Sequence, residues 1–257
     1  MTKKYGDSLK VSIIISVLNG AKTLQNCFDS ISLQDYKNIE LVVIDGESSD
    51  ETVQILGKNE DIITRWLSEP DSGIYDAWNK GLEIVTGEYI CFIGCDDCFA
   101  ERSSISEIIS LIDSEYCPDL ITSKICLVDE NGKSLRERGN PWKWSKMLKH
   151  CSVSHPGLMH HKRLFKWHGK FDTRFKIAGD YDFLLRLGPK TSNKYLDKVT
   201  VLMGINGISN VNILKAHEEA CMIHSSHPSI GKASALYNYY ISRLKVFVKL
   251  VLAKFNL

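Results

Sequence analysis

Continuous apolar runs, separated by segments of helical periodicity, constrain the fold of this chain more than any other feature. The run Val11–Val17 is rich in β-branched residues and lacks polar alternation, which is typical of a strand covered on both faces. Comparable runs follow at Glu40–Asp45, Ile62–Leu67 and Tyr89–Ile93. Helical patterns lie between the runs, at Lys22–Leu33, from Asp50 onward and at Tyr75–Val85. This alternation predicts a mostly parallel, Rossmann-like α/β sheet with helices on both faces.

The second half of the chain has a more mixed pattern. Asp119–Val128 predicts a further strand, and Asn131-Gly132 is a hairpin-type turn signal. No linker rich in Gly, Ser or Pro separates the halves, so we expect residues 1–104 and 105–215 to form one globule. Residues 216–257 are predicted to add a C-terminal helical extension.

Composition and charge indicate which kinds of binding partner and which cellular location to expect. The 257 residues carry a formal net charge of +1, so we expect no nucleic-acid partner. No apolar run reaches the roughly 18 residues of a membrane-spanning helix. The apolar segment after the charged N-terminus is short for a secretory signal, so we expect a cytoplasmic protein.

The eight cysteines are scattered, and Cys95 and Cys98 form the one close pair. A zinc site would normally need a second such pair at matching spacing, and none is evident. The two aspartates between these thiols disfavour a reactive thiolate. We therefore expect reduced cysteines that pack as small apolar residues.

Polar side chains collect just past the predicted strands, where an open parallel sheet forms its binding crevice. They are Ser16 and Asn19 after the first strand, Asp45 after the second, Asp71 after the third, and Asp96 and Asp97 after the fourth. One such cluster could be an ordinary turn. Four such clusters in register are hard to explain as turns. Carboxylates this dense repel one another unless a cation or a ligand holds them, which favours Mg²⁺ or Mn²⁺ chemistry.

Five segments, taken in order, resemble the family 2 glycosyltransferases of the GT-A fold, a type found in bacterial polysaccharide and O-antigen assembly. They are Val11–Asn19, Val43–Thr52, Glu69–Gly81, Gly87–Asp97 and Ala178–Arg186. Each segment is weak alone, but the ordered set is specific. The resemblance implies a GT-A domain whose nucleotide-sugar-binding half is residues 1–104 and whose acceptor-binding half is residues 105–215.

The resemblance identifies Asp96 and Asp97 with the family's metal motif, with Asp97 as the direct ligand and Asp96 also beside the nucleotide. The commonest form of that motif has an earlier aspartate, and this chain has Gly94 there. The ion, Mn²⁺ or Mg²⁺, would bridge the donor diphosphate. The alternative is that the two acids cap a helix that starts at Ser103-Ser104.

The resemblance also implies a nucleoside and sugar pocket around the strand ends. Its residues are Ser16, Asn19, Asp45, Asp71, Gly73 and Asn79. Asp45 could accept the uracil imide N–H, which favours a uridine donor; a turn-forming role is the alternative. Gly73 is expected where a side chain would collide with ligand or backbone.

Asp180 is the candidate catalytic base implied by the resemblance. It would take the proton of an acceptor hydroxyl as that oxygen attacks the anomeric carbon from behind, which inverts configuration. Asp182 is the local rival. A helix N-cap role for Asp180 is the alternative, since an apolar helical pattern follows it.

His155, Trp142 and Trp144 are candidate acceptor contacts, with packing in the core or in a lid as the alternative. His160 and His161 are adjacent on a predicted strand and so point to opposite faces. We therefore predict structural roles for this pair rather than metal binding.

The segment Leu236–Leu257, projected as a helix, gathers several polar residues in a narrow stripe and leaves broad apolar flanks with basic residues. Such a helix fits peripheral contact with the cytoplasmic face of an inner membrane. Packing on the catalytic domain or in a homodimer fits equally.

Together these features predict an inverting, metal-dependent transferase that moves a hexose, glucose or galactose, from a UDP-sugar to a lipid-diphosphate-linked saccharide. A sugar nucleotidyltransferase is one alternative, but it should show a Gly-rich basic phosphate loop, which Val17–Gly20 lacks. A non-catalytic nucleotide-sugar-binding module is the other, and the presence of both Asp97 and Asp180 argues against it.

Overall fold

The computed structural model describes residues 9–113, 115–205, 212–237, 239–241 and 243–244. The first half of the chain forms β1 (Val11–Val17), α1 (Leu24–Ser32), β2 (Ile39–Asp45), α2 (Thr52–Lys58), β3 (Arg65–Ser68), α3 (Ile74–Ile84), β4 (Tyr89–Gly94), β5 (Cys98–Phe99) and α4 (Ser104–Ile109). The second half forms β6 (Leu120–Val128), β7 (Ser134–Arg138), α5 (Trp144–Met147), β8 (Met159–His161), α6 (Arg163–His168), α7 (Gly179–Arg186), β9 (Asn193–Gly204) and α8 (Ile213–Ser226).

One sheet contains all of these strands, in the order β3-β2-β1-β4-β8-β6-β9-β5, and β7 pairs with β6. The first four strands of that order are parallel, as the β–α alternation predicts. The second half adds β8 antiparallel to both β4 and β6. The sheet therefore continues from the first half into the second without a break.

The side chains of β1 show why the strand is apolar throughout. Ile13 and Ile15 pack into one core cluster with Phe28 of α1, while Ile14 packs into another with Trp78 of α3. Adjacent strand residues point to opposite faces, so each face has its own core. Helices therefore cover both faces of the sheet, and the α/β prediction is confirmed.

Boundaries differ from the sequence-based prediction mainly at the edge of the sheet. The third strand begins at Arg65 rather than Ile62, and its residues are largely exposed because β3 pairs only with β2 among the described residues. The turn predicted at Asn131-Gly132 does connect an antiparallel pair, β6 and β7. Gly132 has a φ of 75°, the left-handed backbone that such a turn requires.

The C-terminal segment is described only in part. Residues 238, 242 and 245–257 lie outside the described residues, and with them most of the predicted membrane-contact helix. Within the described ranges, no helix combines the length and apolarity needed to cross a bilayer.

Candidate active site

A cleft of about 680 Å³ lies where β4 ends, beside the first turns of α3 and α7. It brings together four titratable residues that the sequence singled out in three separate segments: Asp96, Asp97, His155 and Asp180. Its lining includes Gly94, Asp96, Asp97, Arg136, Arg138, His155 and Asp180. The carboxyl end of a parallel strand is thus one wall of the cleft, as the fold class predicts.

Asp97 is held in the wall of this cleft by two backbone groups. The Gly94 N–H donates to its Oδ2 at 3.0 Å, and the Gly204 N–H donates to its Oδ1 at 3.3 Å. Only 4% of the residue is exposed. Burial, together with the neighbouring Asp96 carboxylate, raises the pKa of Asp97 to about 7. Burial also raises the pKa of Asp96.

Gly94 explains why this chain has one carboxylate fewer than the commonest family motif. A Cβ at this position would lie 2.8 Å from Asp96 Oδ1 and 3.0 Å from Asp97 Oδ2. An aspartate there would displace the existing pair. The two carboxylates therefore occupy the space that a third would need.

The Asp96–Asp97 pair fits a divalent cation of the Mg²⁺ or Mn²⁺ class. Two desolvated acids lie side by side, and no Lys or Arg within the described ranges forms an ion pair with either. The described ranges hold no group of three or more His, Cys, Asp or Glu side chains arranged for a metal. A cation here would take its remaining ligands from substrate phosphates and water, which is how Mg²⁺ commonly binds.

Asp180 faces the same cleft from the first turn of α7. Its Oδ1 accepts a hydrogen bond from the Tyr75 hydroxyl at 3.0 Å, and burial raises the pKa of its carboxyl group. The N-cap of α7 is Ala178, and Asp180 lies inside the helix. The N-cap alternative for Asp180 is therefore wrong.

Gly179 makes room for the residue that contacts Asp180. A Cβ on Gly179 would lie 2.8 Å from the Tyr75 ring. The Tyr75 hydroxyl lies 2.7 Å from the Ile177 carbonyl oxygen as well as near Asp180. A larger side chain at position 179 would push Tyr75 away from this position.

Asp182 lies on another side of α7 and is used structurally. Residues two apart on a helix are about 200° apart around its axis, so only one of the two aspartates can face the cleft. Arg186 donates to Asp182 Oδ2 at 3.0 Å and also to the carbonyl oxygens of His168 and Lys170. The geometry favours Asp180 over its rival.

Glu219 of α8 positions the segment that leads into α7. Its carboxylate accepts three backbone N–H groups, from Lys176 at 2.9 Å and from Ile177 and Ala178 at 2.8 Å each. The side chain is buried, with the residue 6% exposed. Its charge also contributes to the raised pKa of Asp180. The sequence shows no local signal for this contact, because the partners are about 40 positions apart.

Arg136 and Arg138 of β7 bring positive charge to the cleft. Burial and the neighbouring Arg136 lower the pKa of Arg138. The sequence-based prediction missed both residues, because their exposed hairpin strand resembles an ordinary charged surface.

Asp45 stabilises the turn that follows β2, which is the alternative role that the sequence analysis left open. It is fully buried and accepts hydrogen bonds from the Ser48 N–H at 3.0 Å, the Ser48 hydroxyl at 2.5 Å and the Ser68 hydroxyl at 2.6 Å. The carboxylate has no exposed surface from which to contact a uracil ring. The prediction of a direct nucleobase contact is not supported by this arrangement.

Ser16 and Asn19 lie at the predicted sheet edge but outside the lining of the cleft. Ser16 pairs in register with Ile44 and Gly94. Asn19 is exposed, has a φ of 53°, and its Oδ1 accepts the Ser49 N–H at 2.9 Å. These contacts tie together the loops that follow β1 and β2.

Gly73 and Asn79 have backbone roles. Gly73 has a φ of 124°, and a Cβ there would come no closer than 3.5 Å to Lys176, an ordinary contact. The backbone conformation, rather than the expected collision, therefore requires glycine. Asp71 Oδ1 accepts the Gly73 N–H at 2.8 Å. The Asn79 side chain donates to the Phe171 carbonyl and accepts the Phe171 N–H, which joins α3 to the second half of the chain.

The three candidate acceptor residues have different environments. His155 lines the cleft and stacks on Trp78, and burial lowers its pKa to about 3, so the ring is neutral. Its Nε2 has no hydrogen-bond partner among the described residues. Trp142 is 5% exposed and belongs to the apolar core, as in the packing alternative. Trp144 is half-buried and donates to the Leu185 carbonyl at 3.3 Å.

His160, His161 and the cysteines form no metal-binding group within the part of the chain that the structure describes. His160 is fully buried while the neighbouring His161 is partly exposed, which agrees with opposite faces of β8. All eight cysteines are free. Burial and the adjacent carboxylates raise the pKa of Cys95 to about 12, so its thiol stays protonated.

Comparison with known proteins agrees with this geometry. The sequence profile described as "Glycosyl transferase family 2" matches residues 12–166, more than half of the chain. The chain belongs to glycosyl transferase family 2. It is similar to the PGL/p-HBAD biosynthesis glycosyltransferase of Mycobacterium bovis, with 30% identity over 214 residues that cover 79% of this chain and 80% of the relative. The chain is also similar to an uncharacterized glycosyltransferase of Rickettsia typhi, with 31% identity over a region that covers 73% of this chain and 61% of the relative.

Solved structures of similar fold include S. aureus TarS (residues 1–349) in complex with UDP-GlcNAc. That structure has a TM-score of 0.69 and 20% identity, and the match covers 88% of this chain and 69% of the other. The mannosyltransferase PcManGT from Pyrobaculum calidifontis, in complex with GDP-Man and Mn²⁺, has a TM-score of 0.66 and 15% identity over 91% of this chain and 70% of the other. Both structures share the fold of this chain.

This glycosyltransferase family membership confirms the predicted fold and enzyme class. Family 2 proteins transfer glycosyl groups, so the nucleotidyltransferase and non-catalytic alternatives are set aside.

Proposed function

We propose that this glycosyltransferase moves a hexose, glucose or galactose, from a UDP-sugar to a hydroxyl group of a lipid-diphosphate-linked saccharide, with inversion at the anomeric carbon. The observation that carries this proposal is the shared cleft, which contains the Asp96–Asp97 pair and Asp180. One group is suited to a cation beside a diphosphate, and the other to proton transfer. The product would belong to bacterial polysaccharide or O-antigen assembly.

Support for the donor comes from proteins of similar fold. TarS has been solved in complex with UDP-GlcNAc and PcManGT in complex with GDP-Man and Mn²⁺, so this fold accommodates both a nucleotide-sugar and the proposed ion. We place the uridine near Ser16, Asn19 and Asp71, at the ends of the parallel strands. The nucleotide-sugar-binding half would then be residues 1–104, and the acceptor-binding half residues 105–215.

Asp180 is the group proposed to receive the acceptor proton. Its raised pKa favours that role, because a general base works best when its pKa lies closer to the working pH than a free aspartate does. Tyr75 holds one carboxylate oxygen, and Glu219 holds the backbone before α7. The acceptor hydroxyl would attack from the side of the sugar opposite the leaving diphosphate, which inverts the anomeric configuration.

Asp96 and Asp97 would hold the divalent ion, which, when bound, neutralises negative charge on the departing nucleoside diphosphate. The backbone N–H groups of Gly94 and Gly204 keep the Asp97 carboxylate fixed in the wall of the cleft. Because burial raises the pKa of Asp97 to about 7, binding of the ion should weaken as the pH falls below that value.

Two features of the structure support the proposal of an anionic acceptor at a membrane surface: the positive charge in the cleft and the exposed apolar side chains of the C-terminal segment. Arg136 and Arg138 could bind the diphosphate of the acceptor. Several large apolar side chains of the described C-terminal segment are exposed: Leu236, Tyr237, Tyr240 and Leu244. We propose peripheral contact with the cytoplasmic face of the inner membrane through this segment.

A panel of nucleotide-sugars tests the proposal. UDP-glucose and UDP-galactose should raise the melting temperature when Mn²⁺ is present, and one of them should be hydrolysed slowly without acceptor. EDTA should abolish both effects, and NMR of the transfer product should show the inverted anomer. Preference for a GDP-sugar, or full activity in EDTA, would contradict the donor or the metal assignment respectively.

A further inference from the structure

A second cavity of about 290 Å³ lies beside the catalytic cleft, between α7 and α8. Both cavities are lined by His150, Cys151, Ile177 and Asp180. The candidate base is therefore at the junction of the two spaces. A molecule whose hydroxyl group reaches Asp180 from the cleft would therefore lie next to the second cavity.

The wall contributed by α8 is made of residues that share one helix face. They are Ala216, His217, Ala220, Cys221 and His224. Three of the five are small, and Ala235 lines the same cavity. Small apolar side chains at these positions leave space that larger ones would fill, so the cavity follows from the residues that line it.

Most of the surface that lines this cavity is apolar, although seven polar or charged residues also line it: Lys149, His150, Asp180, Tyr181, His217, His224 and Tyr239. The Tyr181 hydroxyl is already used, since it lies 2.6 Å from His224 Nε2 and contacts the Met147 carbonyl. His217 differs, because its Nδ1 is buried without a hydrogen-bond partner among the described residues. A space whose surface is mostly apolar, and into which the unpartnered His217 Nδ1 and the charged Lys149 are also placed, suits an apolar group attached to a polar molecule.

We propose that this second cavity binds a compact apolar group of the acceptor, an aromatic ring or a short alkyl segment, close to the hydroxyl that receives the sugar. This inference rests on the proposed function, since it takes Asp180 as the base. The volume lies near the lower end of small-molecule pockets, about 300 Å³, and suits one ring rather than a whole lipid. On the lipid-diphosphate-linked saccharide proposed above, this apolar group would be attached to the sugar that receives the hexose, next to the reacting hydroxyl group.

Two simple glycosides test the proposal, phenyl β-D-glucopyranoside and methyl β-D-glucopyranoside, measured by calorimetry with the full-length protein. Both present the same sugar hydroxyls and differ only in the apolar group. The phenyl compound should bind at least about tenfold more tightly, which requires burial of roughly 55 Å² of additional apolar surface. Equal affinities would overturn the proposal.

Substitutions on α8 test whether the preference for the phenyl glycoside arises in the second cavity. Ala220→Trp fills the cavity and should abolish the difference between the two glycosides. Met222→Trp puts the same side chain on the exposed face of the same helix, where the native residue is 60% exposed, and should keep the difference. A preference that survives in folded Ala220→Trp would overturn the proposal. If circular dichroism shows that this variant is unfolded, Ala220→Leu is judged by the same criterion.

Hydrolysis of UDP-sugars by the wild-type protein separates this inference from the proposed function. Hydrolysis without a phenyl preference refutes the apolar acceptor site alone. A phenyl preference that Ala220→Trp abolishes, in a protein that hydrolyses no UDP-sugar, supports the cavity and refutes the proposed donor.

Discussion

Asp97→Asn should make the metal-free protein less sensitive to pH while abolishing turnover. The Asp97 carboxyl has an ordinary pKa of 3.8, and burial together with Asp96 raises it to about 7 in the folded chain. Between these values the folded state binds more protons than the unfolded state, so the free energy of unfolding falls as the pH rises. Asparagine carries no charge and removes this dependence.

The magnitude follows from the size of the pKa shift. A shift of roughly 3 units costs about 4 kcal/mol once the pH exceeds both values, and the near-complete burial of Asp97 leaves little solvent screening. Between pH 5 and pH 8 the wild type should lose about 3 kcal/mol through this group. The asparagine oxygen can accept only one of the N–H groups of Gly94 and Gly204, which lowers the absolute stability of the variant by the same amount at both pH values.

Urea unfolding in EDTA at pH 5 and pH 8 measures this effect. The difference in the free energy of unfolding between wild type and Asp97→Asn should change by about 3 kcal/mol between the two pH values, in favour of the variant at pH 8. Asp61→Asn, which changes an exposed carboxylate of the same charge, serves as the control and should keep the wild-type dependence. Added Mn²⁺ should stabilise the wild type and the control but not Asp97→Asn. Parallel pH profiles for all three proteins would refute the reasoning.

Three further predictions concern the base, its support and the C-terminal segment. Asp180→Asn should lower kcat by about 100-fold or more with little change in UDP-sugar affinity by calorimetry, whereas an inactive Asp182→Asn beside an active Asp180→Asn would reverse the assignment. Glu219→Gln should melt at a lower temperature than Glu218→Gln, because a carboxamide oxygen cannot replace a carboxylate that accepts three N–H groups. In Glu219→Gln the acid limb of the pH profile of kcat should move to lower pH, because loss of a nearby negative charge lowers the pKa of Asp180. An unchanged acid limb would contradict this coupling. Tyr240→Ser should weaken flotation with anionic liposomes at low salt, and equal flotation of both proteins would assign the segment to packing.

The local sequence was sufficient to predict most helices and strands of the first half. Each of them buries the same face or faces along its whole length, so its apolar residues recur with a regular period. The continuous apolar run of β1 predicted a strand covered on both faces, and Ile13 and Ile14 do pack into different cores. The position of Asp96 and Asp97 past β4 followed from strand order alone. Polar residues at the carboxyl ends of parallel strands meet at one edge whatever the details of packing.

Only the tertiary structure decided which polar residue faces the cleft and which supports the backbone. Asp45 and Asn79 matched the family pattern in sequence, yet their hydrogen bonds go to Ser48 and to Phe171. A carboxylate or amide looks the same in sequence whether its partner is a ligand or a neighbouring loop. The partner depends on what packs against it, and for Asn79 that residue lies 92 positions away.

The same limit applies to helix α7, which carries the candidate base. The sequence placed Asp180 and Asp182 on one short helix, but the docking of α7 against Tyr75 and the use of Asp182 by Arg186 decided between them. Glu219 joins the site from a helix that follows α7 by some 30 positions, and its three N–H partners are made adjacent only by folding. Periodicity in a sequence indicates that one face of a helix or strand is buried. Which residues cover that face depends on contacts between segments far apart in the chain.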